Sequence, residues 1–275
     1  MKFKIDKFKI NKNDVFVFLF PVILVLIFLL TDPSRFALDL KDLDLIRMFT
    51  SSFVHWNLGH LIRNVIPYYV FILPGWYLAK SSEMERDFYV SFLGILILVP
   101  FITRFMHIYT GQFLFGATAG FSGTVLGFSA LTVISFLVFL REKFKFKLNS
   151  FDLLASFLVF ICLPVFIYNF GSLEPLLWVL FALSVLWMLY RFKKEGIGSK
   201  IGSKIKEYRK IAAASKLITF TGFLILFLAF YIGFFPPSFV EAEINIFSHL
   251  SGFVGGFVVG FVVYFLRVEE DVVPK

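Results

Sequence analysis

The chain has one cysteine, Cys162, in 275 residues. No intramolecular disulfide can form, and a thiolate metal site is disfavoured. Charge is scarce as well: Asp, Glu, Lys and Arg make up 17% of the residues, against 59% hydrophobic ones. The longest polar stretch, 191–216, is too short to fold as a separate soluble domain. Two chemistries lack their signatures. There is no His-Glu-x-x-His, because Trp56, Leu61, Ile108 and Leu250 follow the four histidines. There is no Gly-Asp dipeptide of the kind that marks an intramembrane aspartyl site. His55, His60 and His249 have no acidic residue nearby to complete a metal set, so no metal and no other cofactor is expected.

What the chain has in abundance is apolar length. It contains 41 phenylalanines and has a mean hydropathy of +0.84, which points to an all-α polytopic membrane protein. Hydrophobic runs predict about eight transmembrane helices, at 15–30, 58–79, 88–106, 120–140, 151–169, 173–190, 216–235 and 247–266. The basic segment 1–14 resembles the start of a signal peptide. The apolar run after it lacks a small-residue cleavage site and Pro33 follows, so the first span is expected to be retained. If segment 1–14 lies in the cytoplasm, 22 of the 27 Lys and Arg residues fall on that side. The predicted organisation is thus a cytoplasmic segment 1–14, a transmembrane domain 15–266 with a basic cytoplasmic linker 191–216, and a cytoplasmic tail 267–275. The net charge of +8 then reads as attraction to anionic membrane lipid, not to nucleic acid.

This topology tests the polar residues inside the spans. Ser122 sits in Gly120-Phe121-Ser122-Gly123 at the start of the fourth span. His60 and Asn64 lie early in the second, and His249 early in the last. All three spans run the same way, so the four side chains come to similar depth on the outer side. At about 1.5 Å per residue, each is within one or two helical turns of its span's start. Polar groups at membrane depth are costly and usually functional. A serine, a histidine with a near-neutral pKa and amide-type donors are the parts of a serine hydrolase. Small residues around Ser122 (Gly116, Ala117, Ala119, Gly120, Gly123) allow close backbone approach. Gly252, Gly256 and Gly260 form a matching ridge after His249. His60 and Asn64, four apart, share a helix face and with the Ser122 N–H would make an oxyanion hole. Ser129, seven residues beyond Ser122 and about 10 Å deeper, has no partner at its depth and is expected to pack. No carboxylate lies in this layer, so a Ser–His dyad is expected and not a triad. Structural readings of the same residues are a small residue at a helix interface for Ser122, a carbonyl-bonded histidine for His249, and an interhelical clamp for His60 and Asn64.

Three separated motifs, in order, resemble the rhomboid intramembrane serine proteases. Arg47 through Asn64 looks like the end of that family's first external loop entering its second helix. Gly120-Phe121-Ser122-Gly123 looks like the nucleophile motif, and Ser248-His249 with Gly252 and Gly256 looks like the final helix. The resemblance implies Ser122 as nucleophile and His249 as general base. It implies His60, Asn64 and the Ser122 N–H as oxyanion donors, with His55 and Arg47 as structural loop residues. It also implies cleavage of single-span membrane proteins near the outer leaflet, without a cofactor. The chain departs from the family pattern in having room for three spans between Ser122 and His249, in Leu126 where an aromatic often stacks on the base, and in Ile46 before Arg47. The alternative expectation is a catalytically inactive relative that binds transmembrane clients. A transporter fits less well, since no internal repeat is evident.

Overall fold

The structure, a computed structural model, describes residues 10–39, 44–109, 117–166, 171–196, 227–228, 231 and 246–270. The expectations for the basic N-terminal residues 1–9, for Gly116, for most of the linker and of the span at 216–235, and for the tail beyond 270 fall outside these residues.

Among the described residues the chain is almost entirely helical. It runs α1 (Lys12–Leu30), α2 (Pro33–Phe36), α3 (Leu45–Thr50), α4 (Leu58–Ser81), α5 (Glu85–Tyr109), α6 (Ser122–Phe144), α7 (Ser150–Cys162), α8 (Glu174–Lys194) and α9 (Ile246–Glu270). Two short strands, β1 (Leu38–Asp39) and β2 (Ala117–Thr118), pair antiparallel, with Leu38 opposite Thr118. Five helices, α1, α5, α6, α8 and α9, are long and apolar enough to cross a membrane. With 24 residues, α4 spans about 36 Å. It carries His60, Arg63, Asn64 and Lys80.

The helix starts follow from local chemistry. Asn11 caps α1, and Asp14 at the third helical position returns a bond to the Asn11 N–H, a reciprocal capping box. This starts α1 at Lys12, not at 15, and takes Asp14 out of the polar N-terminal segment into a fully buried position. Asn149 and Asp152 repeat the device at the start of α7. The run predicted to cross at 151–169 does not stay helical: α7 ends at Cys162 and a 3-10 turn, Leu163–Phe166, follows. Pro164 has no N–H to extend the ladder and its ring crowds the preceding turn. Inside α1, Pro21 leaves the Val17 carbonyl without its helical partner. The Tyr68 hydroxyl of α4 donates to that carbonyl at 2.5 Å, which fastens α1 to α4 at the broken rung.

α6 is the centre of the bundle, with 89% of its apolar window buried, and α4, α5 and α9 pack around it. On the α9 side the contact is backbone on backbone. A Cβ added to Gly252 would lie 2.1 Å from the Gly123 oxygen, and one added to Gly256 would lie 2.3 Å from the Gly127 oxygen. Of the expected ridge, Gly252 packs on Gly123 beside the serine and Gly256 on Gly127 one turn further, whereas Gly260 meets Ile134 and Leu131. Aromatic rings fill the remaining core: Phe92 stacks on Phe128 at 4.8 Å, and Phe20 and Phe53 flank Phe121 at 5.6 and 5.7 Å. α8 packs on α7 and leaves Leu183, Leu186 and Leu189 about 60% exposed, a surface suited to lipid.

Candidate active site

The starts of α4, α6 and α9 meet at one end of the bundle. Ser122 is the first residue of α6, and no side chain caps that helix. The first turn therefore presents main-chain N–H groups with no intrahelical acceptor, and the ladder begins with Val125 N–H on the Phe121 carbonyl. His249 is in the first turn of α9 and is 7% exposed. Its Nε2 lies 2.9 Å from Ser122 Oγ. For Nε2 to take the hydroxyl proton, the neutral ring must carry its own proton on Nδ1.

His60 is held from below. Asn57 caps α4 and accepts the His60 N–H at 2.8 Å, which sets where the helix begins and so where the ring projects. The ring lies against Gly120: a Cβ there would be 2.6 Å from His60 Cε1 and 2.7 Å from Nε2. Gly120 has φ +128, a region open essentially to glycine alone. Both conformation and space thus require the first glycine of Gly-x-Ser-Gly. Asn64, one turn further, is 1% exposed. Its Nδ2 donates to the His60 carbonyl at 2.9 Å, and its Oδ1 is buried without a partner. The NH2 group carries two hydrogens, and the His60 carbonyl engages one of them. Gly123, on the other side of the serine, fits against Thr103, whose Cγ2 would be 2.5 Å from an added Cβ.

The supporting residues fall into two groups. Gly120, Gly123, Gly252 and Gly256 create the close approach that brings serine and histidine together. His55 and Arg47 belong to the segment leading into α4. Arg47 lies within α3 and its carbonyl accepts the Ser51 N–H at 3.0 Å. His55 is buried, edge-on to His60 with ring centroids 5.1 Å apart. Burial, with His60 as the next cause, pushes its pKa down to about 3, so this ring is neutral at any ordinary pH. Ser129, as expected, is a packing residue: it is buried and donates to the Leu126 carbonyl at 2.7 Å.

Arg104 of α5 is the residue that sequence reasoning missed. It is 6% exposed and reaches the loop before Ser122. Nη2 donates to the Ser51 and Gly120 carbonyls at 3.1 and 2.9 Å, and Nη1 to Thr118 Oγ1 at 3.1 Å. A lone arginine within an apolar run was the available signal. Among the described residues no group of three or more His, Cys, Asp or Glu side chains is placed to hold a metal ion.

Set against family models, curated proteins and solved structures, the chain has no match. Function therefore rests on the chemistry of the site.

Proposed function

We propose that this chain is an intramembrane serine endopeptidase of the rhomboid type, with a core of about eight spans, both termini in the cytoplasm and its site near the outer leaflet. The observation that carries this reading is the 2.9 Å contact between Ser122 Oγ and His249 Nε2 at an uncapped helix N-terminus in an otherwise apolar bundle. Four further features support it: the His60 ring against Gly120, Asn64 a turn away, the glycine-on-glycine contact, and the excess of Lys and Arg on the opposite side. The substrates are single-span membrane proteins, and membrane lipid surrounds the enzyme.

The reaction follows from these groups. Ser122 Oγ attacks the scissile carbonyl as its proton passes to His249 Nε2, giving a tetrahedral oxyanion. The Ser122 N–H, His60 and Asn64 donate to that oxygen; one such donor is worth about 3–4 kcal/mol in the barrier. The C–N bond breaks, the leaving amine takes the proton from His249, and Ser122 is left acylated. Water then gives its proton to His249, attacks the ester and releases the acid, and Ser122 regains its proton.

The test is labelling of the full chain in detergent by a fluorophosphonate probe. Wild type and Ser129→Ala label, while Ser122→Ala and His249→Ala do not. Absence of labelling in folded wild-type protein would overturn the reading and favour a client-binding relative, with the buried Leu126 beneath Ser122 as the first departure to restore to an aromatic.

A further inference from the structure

Arg104 is buried in a span without a carboxylate. Among the described residues its partners are two carbonyls and a hydroxyl, and its Nε has none. An unneutralised guanidinium at such a position is costly. A helix clamp would be served as well by a neutral amide, so the charge calls for its own explanation.

The geometry supplies one. Gly120 is fixed at both of its polar groups: its N–H donates to the Ser51 carbonyl at 2.9 Å, and its carbonyl accepts from Arg104 Nη2 at 2.9 Å. The Ser51 carbonyl also accepts from Nη2, so Ser51, Gly120 and Arg104 close a triangle. The Gly120–Phe121 peptide is planar and trans. With its carbonyl drawn toward Arg104, its N–H must point the opposite way, away from the guanidinium. Turning it over would rotate ψ of Gly120, where no Cβ resists, and φ of Phe121, which stands at −89; the guanidinium thus reinforces an orientation that the Phe121 side chain already favours. Turned over, it would present a carbonyl dipole where the N–H now stands.

We propose that Arg104 is a positioning residue for catalysis: it locks the Gly120–Phe121 peptide so that the Phe121 N–H joins the Ser122 N–H in facing the oxyanion. The inference rests on the hydrolase reading above and deepens it. It also accounts for the charge. The guanidinium lies one peptide behind the oxyanion position; among the described residues no carboxylate pairs with it, and a negative charge arises there in the transition state. In a low-dielectric site, such a fixed charge needs no rearrangement to act.

The experiment measures fluorophosphonate labelling of the full chain in detergent, separating the maximal rate kinact from the half-saturating concentration KI. Arg104→Gln lowers kinact by about 100-fold, the size of effect expected for a lost oxyanion donor, and leaves KI unchanged. Arg104→Lys keeps the charge but cannot reach all three acceptors at once, and falls between Arg104→Gln and wild type. Thr118→Val removes one minor contact, carries little folding risk and lowers kinact least. The pH profile of kinact keeps its midpoint in Arg104→Lys and Thr118→Val, which retain the charge, and moves upward in Arg104→Gln, which removes it. If Arg104→Gln does not fold, Arg104→Lys and Thr118→Val carry the test. A folded Arg104→Gln or Arg104→Lys with kinact within about twofold of wild type, well short of a lost donor, would overturn the proposal. So would a change in KI alone, or a displaced pH midpoint in the charge-conserving Arg104→Lys or in Thr118→Val. Wild type that does not label, or Ser122→Ala that labels like wild type, sinks the hydrolase reading itself.

Discussion

The two ends of the bundle treat buried polar groups in opposite ways. At the end away from Ser122, two carboxylates are saturated. Asp14 accepts from Lys80 Nζ and the Asn11 N–H, each at 2.8 Å, and also from Trp76 and Tyr89. Asp152 accepts from Arg191 Nε and Nη2, Trp187 Nε1 and the Asn149 N–H, at 2.8 to 3.0 Å. The two sites share one design: an Asn-x-x-Asp capping box on one helix faces a tryptophan four residues before a cation on the next. Each carboxylate has four donors, and nothing is left over for a ligand. Among the described residues, Ser52 Oγ, Asn64 Oδ1, Arg104 Nε and Thr124 Oγ1 at the serine end are buried without partners, and so is Ser91 Oγ near the start of α5. Fully paired polar groups rigidify a fold, whereas unpaired ones are expensive and persist where something else is to be bound. On the proposed reading, the difference separates a structural end from a reactive one.

The comparison breaks most completely at the contact that holds the reactive end together. Gly256→Leu places a side chain where Gly127 Cα would be only 2.4 Å from its Cβ. Because the neighbour is backbone, relief requires α9 to leave α6. The cost exceeds the about 1–3 kcal/mol of ordinary overpacking, and the Ser122–His249 contact is lost with it. Labelling disappears and the detergent-solubilised protein loses its monodisperse elution peak.

Asp14→Ala attacks the structural end. It removes the carboxylate from a Lys80 that is itself buried, at a cost of about 3–5 kcal/mol. The expected result is a large drop in melting temperature and an unchanged labelling rate for the protein that remains folded. His60→Ala is the mirror experiment. It costs about 2.7–4 kcal/mol in the barrier, read as a 100- to 1000-fold slower labelling rate, and leaves the melting temperature near wild type. If Asp14→Ala slowed labelling, or His60→Ala lowered stability instead, the division between the ends would not hold.

Much of the reactive end is legible in the sequence, because helical periodicity and the positive-inside count act locally. They put Ser122, His249, His60 and Asn64 at helix starts of common depth, and the glycine spacing chose the face. Arg104 escaped because its partners, Ser51, Thr118 and Gly120, are spread over three elements and two of the acceptors are carbonyls, which carry no sequence identity. The two saturated carboxylates are visible in the sequence as Asn-x-x-Asp at 11–14 and 149–152, a pattern that by itself marks only a helix start. Their significance depends on tryptophans far along the chain. The break at Cys162 followed from Pro164, a signal that hydropathy averaging smooths away.

A smaller effect distinguishes His55 from the saturated carboxylates. Its folded pKa, about 3, lies below the ordinary value of 6.5. Below about pH 6.5 the unfolded chain binds a proton that the folded one refuses, so stability rises with pH from about 3 to 6.5 and is flat above, by at most about 1.4 kcal/mol per pH unit. Comparing melting temperature against pH for wild type and His55→Gln isolates this slope. The variant should flatten it, and identical slopes would mean that other groups produce it.

The smallest expected effect is the most discriminating about chemistry. Ser129 and Ser122 share a helix and a glycine-rich neighbourhood, but Ser129 is buried and donates to the Leu126 carbonyl, while the half-buried Ser122 meets an imidazole. In Ser129→Ala the acceptor keeps its place in the helical ladder and no buried donor is stranded. The loss is therefore that of one neutral hydrogen bond, about 1 kcal/mol, with labelling unchanged. Ser122→Ala loses no more packing than this, yet abolishes labelling. Were the two alanine variants to behave alike in the labelling assay, the environment of the helix would be responsible for reactivity, and the contact with His249 would not.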